Sequence, residues 1–218
     1  MKEKKQFDPG FLGQGAVLLC AVLWSTSGLF IKLVDWHPVV ITGLRSAIAA
    51  LFMFGARFLF SSQPRPKNKA GPLWAGAIVY ALTMITFVIA NKLTTAANAI
   101  VLQYSAPVWA AILGWFLIRE KPQRKHWVAM VCISAGFVLF FRDDLTAGAL
   151  LGNFLALVSG VLFGAHSVLM RMQKDANPSD SMLLSHVLSF AIAIPFLIIF
   201  PPVLTSSRVL PVVFMGII

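Results

Sequence analysis

From Ala96 to Ile118 the sequence carries no charged side chain. A helix rising about 1.5 Å per residue covers a hydrocarbon core of about 30 Å over such a length, so the run reads as a membrane span. It also holds Asn98, Gln103, Tyr104 and Ser105 in its first half and Pro107 near its middle. Polar groups are costly against lipid unless they find partners or line a cavity. At about 3.6 residues per turn, Thr95, Asn98, Ser105 and Trp109 share one face, whereas Gln103 points roughly 140° away from Asn98. Polar groups on more than one side require neighbours all round, which places this span inside a bundle.

Further apolar runs predict spans over residues 13–33, 39–60, 72–90, 126–141, 147–170 and 182–200. The run 209–218 is apolar but too short to cross, and is read as the start of an eighth span. The chain is 58% hydrophobic and 12% charged. A soluble helical fold needs charged outer faces on its helices, and these runs have almost no charge, so the expected class is an all-α polytopic membrane protein. Pro38 starts the second span, Pro195 lies inside the seventh, and Pro201-Pro202 ends it. The loop with Pro64, Arg65, Pro66 and Lys67 cannot continue a helix. Only Asn91 to Thr95 separates the third and fourth spans, which predicts a tight antiparallel hairpin. The start Met1-Lys-Glu-Lys-Lys has the outline of a signal peptide, but the apolar run behind it extends to Leu33, beyond an h-region of about 7–15 residues. It reads as an uncleaved first span after an N-terminal segment of residues 1–12.

The net charge of +10 does not point to nucleic acid, because the basic residues sit in short loops between spans. They set orientation instead. The N-terminus and every second loop hold 13 of the 18 Lys and Arg residues, and the alternate loops, with Lys32, Lys92, Arg142 and Arg208, hold 4. Basic residues are retained on the cytoplasmic side, so the N-terminus is expected there. Cys20 and Cys132 both lie in apolar runs, which argues against a disulfide framework or a Cys-based metal site.

The chain also resembles itself. Residues 13–32 lie over residues 152–171 at an offset of 139, pairing Trp24 with Phe163 and Lys32 with Arg171. With one residue inserted, Pro38 falls over Pro178. Five spans separate the copies, so the second enters the membrane in the opposite sense, as an inverted repeat.

Several features together resemble the EamA family of the drug/metabolite transporter superfamily. They are Leu23-Trp24-Ser25 through Ile31-Lys32, Arg45 early in the second span, Thr94-Thr95-Ala96-Ala97-Asn98-Ala99 opening the fourth, Pro107 within it and Arg119-Glu120-Lys121 at its end. The resemblance implies a helical bundle of two inverted five-span repeats around a central cavity. Here residues 13–141 supply the first repeat and residues 147–218 the start of the second, about seven spans and part of an eighth. It further implies a multi-pass protein of a bacterial inner membrane that moves amino acids, other metabolites or drugs, commonly outward.

The cavity candidates are Trp24 and Ser25 in the first span, Asn91, Thr95, Asn98, Gln103 and Tyr104 on the hairpin, and His166 in the sixth span. Trp24 is equally a packing residue whose indole wants a partner, and Asn, Gln and Thr also bond helix to helix. His166 and His186 suit substrate binding or proton transfer, but also a neutral structural role. Arg45 is the charged residue well inside a span, a functional position by default, unless its long side chain snorkels to the interface. Gly160 and Gly164 form a GxxxG that favours close helix crossing. Pro107 is read as structural, and Glu120, at the C-terminus of the fourth span, as an anchor held by nearby cations.

No P-loop, HExxH, GxSxG or paired intramembrane carboxylate is present. The expected function is therefore secondary transport by alternating access, without cofactor or metal, rather than catalysis. All eight carboxylates lie in loops or at span ends, which favours gradient-driven exchange. The partners are the lipid bilayer and a small-molecule substrate, with a homodimer left open. An accessory subunit without transport of its own is the alternative; it would suit a chain that stops at Ile218, whereas a carrier calls for two and a half further spans.

Overall fold

The structure, a computed structural model, describes residues 9–60, 68–120, 124–140 and 149–217. The loop Pro64 to Lys67, Lys121 and the segment Arg142-Asp143-Asp144, all used above to place loops and orientation, lie outside the described residues. Among those described, the elements are helices: α1 (Pro9–Leu33), α2 (Pro38–Phe60), α3 (Ala70–Leu93), α4 (Ala96–Gln103), α5 (Ala106–Ile118), α6 (Arg124–Phe140), α7 (Leu150–Arg171), α8 (Pro178–Ile199) and α9 (Ser206–Ile217). Six segments are long and apolar enough to cross a membrane, Ala96–Ile118 among them. Helix α6 has 17 residues and α9 has 12.

The fourth span is not one continuous helix. Pro107 has no N–H to donate to the Gln103 carbonyl four residues earlier, and its ring crowds that carbonyl. The chain therefore turns at Tyr104 and Ser105, where the Ser105 N–H reaches Leu102 O at 3.1 Å, and restarts as α5 with Ser105 O accepting from Val108 N–H at 2.9 Å. At its far end α5 stops on Arg119, whose φ of 56° lets the Glu120 N–H return to Gly114 O at 3.3 Å, a close of the kind that usually takes glycine.

Small residues every fourth position bring the helices together. On α7, Gly152, Ala156, Gly160 and Gly164 form one stripe, all buried. A Cβ at Gly152 would stand 2.8 Å from the Leu93 carbonyl carbon, and one at Gly164 would stand 2.7 Å from Ala106 O. The stripe thus runs along the end of α3, past the α4–α5 break, and onto α5. On α8, Ser181, Ser185, Ser189 and Ala193 play the same part, with Ser181 meeting Gly76 of α3 and Ala193 meeting Gly43 of α2. Between helices in lipid, where apolar surface gains little from association, such close backbone approach is a main source of attraction. The apolar core gathers Ile31, Val34, Val40, Ile41, Phe87 and Val88 near one end of the bundle.

Polar contacts tie the two ends. At one, Asp180 accepts from the Asn68 amide at 2.9 Å and pairs with Arg57, while Gln173 Nε2 donates to Pro72 O at 3.0 Å. At the other, Lys32 Nζ donates to Thr94 O at 2.6 Å, Lys92 Nζ to Val34 O at 2.5 Å and the Trp36 indole to Val203 O at 3.2 Å.

Candidate functional site

Helices α1, α2, α3, α4, α7, α8 and α9 line a partly open cavity of about 330 Å³. Its walls are largely aromatic and thioether: Trp24, Phe52, Phe87 and Phe163, with Met53, Met84 and Met215. The polar groups are few, namely Arg45, Tyr80, Gln103, Tyr104, Thr26, Ser27, Thr83 and His186. An apolar chamber with a few convergent polar groups is the usual form of a small-molecule site.

Of the residues singled out from sequence, Trp24, Arg45, Gln103 and Tyr104 meet in this cavity. The break before Pro107 ends α4 there, so Gln103 and Tyr104 sit at the exposed end of a short helix instead of within a continuous one. Trp24 stands 5.9 Å from Phe163, ring centroid to centroid.

The others are placed elsewhere. Thr95 caps α4, its hydroxyl accepting from the Asn98 N–H at 3.1 Å. The Asn98 side chain is buried toward Thr94, whose hydroxyl donates to Asn153 Oδ1 at 2.7 Å, so this amide joins α4 to α7 outside the cavity lining. Asn91 is fully buried behind α1, its amide nitrogen beside Gly28. The Ser25 hydroxyl turns back to Val22 O at 2.6 Å. His166 is buried, with Nδ1 donating to Gly76 O at 3.2 Å and its ring stacked on Tyr80 at 4.3 Å. It braces a cavity residue without reaching the cavity. Among the described residues, Glu120 has a cation beside it from another helix, Arg171 at the end of α7, 3.3 Å away; Lys121 of its own turn lies outside the described residues.

Sequence reasoning missed Tyr80 and left His186 only weighed. Tyr80 links three rings, stacking on His166 and meeting His186 edge-on at 6.1 Å. The signal was available, because the chain has only two tyrosines and Tyr80 lies mid-span, where a phenol needs a partner or a cavity. Phe163 was visible only as the repeat partner of Trp24.

The chain is similar to known transporters. It is 28% identical over 187 residues to the uncharacterized transporter YwfM of Bacillus subtilis, covering 83% of this chain and 63% of that protein. It is 27% identical over 183 residues to human solute carrier family 35 member G1, covering 78% of this chain and 50% of that one. It thus spans about half to two thirds of the length of these curated relatives. A solved crystal structure shares the fold with a TM-score of 0.69 at 21% identity, over 90% of this chain and 71% of the other. The model of the EamA-like transporter family matches residues 11–142, more than half of the 218 residues, and the chain belongs to that family.

Proposed function

We propose that this chain forms the substrate-binding part of a secondary carrier, which exports small amphipathic metabolites, amino acids or drugs across a bacterial inner membrane by alternating access. The observation that carries the reading is the cavity at the seam between residues 13–141 and residues 147–217, lined from both sides. The inverted-repeat reading gains support from the same seam. Exchange of the repeats pairs α1 with α7, α2 with α8 and α3 with α9. The contact of α3 with α7 then becomes that of α9 with α1, and the contact of α3 with α8 becomes that of α9 with α2; both are made. Trp24 and Phe163, paired by the sequence offset, touch each other in the cavity wall, as residues near a pseudo-two-fold axis do.

The test is flux of labelled small metabolites into proteoliposomes holding the intact gene product, against empty liposomes and a Trp24→Ala variant. Flux above the empty control that falls at least severalfold with Trp24→Ala is expected. Flux equal to empty liposomes across a broad amphipathic panel would overturn the reading.

A further inference from the structure

Among the described residues, Arg45 is the only Lys, Arg, Asp or Glu in the cavity lining. None of the ion pairs among the described residues includes it; those join Arg57 to Asp180, Arg171 to Glu120 and Arg208 to Asp35. A guanidinium stays cationic near neutral pH, and a cation held at membrane depth normally pairs with a carboxylate or faces water. The same cavity offers further donors: the Tyr80 hydroxyl, the Gln103 amide and His186, whose Nδ1 is buried without a hydrogen-bond partner. Much of the remaining lining, Trp24, Phe163, Phe87 and Met84 among it, is apolar.

We propose that the cavity takes a small organic anion, one carboxylate on an apolar body, with the carboxylate held by Arg45 and the body packed against the contacting rings of Trp24 and Phe163. This deepens the carrier reading and rests on it for the transport step alone. A planar guanidinium matches a carboxylate with two parallel N–H···O bonds. A single cation balances a single negative charge, and a second charge would be left unpaired in an apolar chamber, at high cost. A cationic ligand finds no carboxylate among the described lining residues and meets Arg45 as a like charge. A cavity of about 330 Å³ lies at the low end of ligand sites, about 300–1,000 Å³, which fits a metabolite with one ring or a short chain.

Three probes with one apolar body separate the options: 3-phenylpropanoate, its neutral amide and 3-phenylpropylamine. Equilibrium dialysis against the purified intact protein tests the site. The carboxylate is expected to bind about tenfold or more tighter than the amide, the difference a charge-assisted pair makes. That difference should vanish in Arg45→Gln and persist in part in Arg45→Lys, which keeps the charge but loses the planar fork. Equal binding of carboxylate and amide, or preference for the amine as an aromatic cage would show, overturns the proposal, as does full carboxylate preference in Arg45→Gln. If Arg45→Gln does not fold, the wild-type ranking and Arg45→Lys decide alone. Flux in proteoliposomes is read separately. A carboxylate that binds through Arg45 but does not cross overturns the carrier reading and leaves the anion site standing; faster crossing of the amine does the reverse.

Discussion

Asn91 is fully buried, and neither its Oδ1 nor its Nδ2 has a hydrogen-bond partner. An unmet buried polar group costs about 1–3 kcal/mol, so Asn91→Leu, close in size and apolar, is expected to stabilise the protein by an amount in that range. Thermal unfolding in detergent measures it, and a lowered midpoint would show that the amide is satisfied in the molecule. Arg119 holds a left-handed backbone at φ 56°, which costs an L-residue about 1–2 kcal/mol. Arg119→Gly should therefore leave stability unchanged or raise it by up to about 1 kcal/mol, and Arg119→Val should lower it. At this scale the sequence was legible where a residue contradicted its surroundings. Arg45, Gln103 and Tyr104 stood out as polar groups in apolar runs. The same test did not separate them from Asn91 and Asn98, because a polar residue in a span signals a need for partners without saying whether these are ligand or neighbouring helix. Thr95 shows the ambiguity at its plainest: a hydroxyl at the start of an apolar run was a cap first.

Helix spacing was legible and helix pairing was not. Gly160 and Gly164 announced a close crossing, yet a four-residue period names a face of α7 and leaves its neighbour open. The structure supplies the neighbour: the α4–α5 break, with Gly160 against Leu102 O and Gly164 against Ala106 O. Because the listening surface there is backbone, which cannot turn aside as a side chain does, Gly164→Ala is expected to destabilise by about 1–3 kcal/mol and reduce the folded yield. Gly55→Ala, where a Cβ meets nothing within 4 Å, should be neutral or stabilising by up to about 1 kcal/mol. Equal yields of folded protein from both variants would remove the crossing from the account of stability. Asp180 makes a second comparison. It sits in the first turn of α8, where a negative charge suits the helix dipole, and it receives Arg57 from α2 and Asn68 from the start of α3. Asp180→Asn keeps the shape and loses the charge, and should cost about 1–2 kcal/mol, since the partners are only partly buried.

Across the whole molecule, the connections at the two ends of the bundle divide as the basic residues do. Arg57, Lys69, Arg171 and Lys174 lie at the end tied by Asp180 and Gln173, and Lys32, Lys92 and Arg208 lie at the end tied by Thr94 and Val34. The cytoplasmic N-terminus expected from the loop charges would make the first of these ends the inner one. A cysteine in place of Asp35, an exposed side chain, should be labelled from outside by an impermeant maleimide in a background lacking Cys20 and Cys132. One in place of Lys174 should be labelled only after permeabilisation, and the reverse pattern would invert the topology. Orientation then fixes how the membrane potential acts on an anionic substrate. If Arg45 stays with the protein, each carboxylate that crosses carries one net negative charge, and a potential of 100 mV, negative inside, favours its exit by about 2.3 kcal/mol, roughly a fiftyfold bias at equilibrium. The described cavity lining has no Asp or Glu to carry a compensating proton, so the potential and the substrate gradient suffice as driving forces. In proteoliposomes, efflux of 3-phenylpropanoate should accelerate when a potassium gradient with valinomycin makes the interior negative, and a pH gradient imposed without a potential should drive no accumulation beyond that in protein-free liposomes. Efflux indifferent to the potential, or pH-driven accumulation above that of protein-free liposomes, would place a proton in the transport cycle and direct attention to His186, a histidine that lines the cavity.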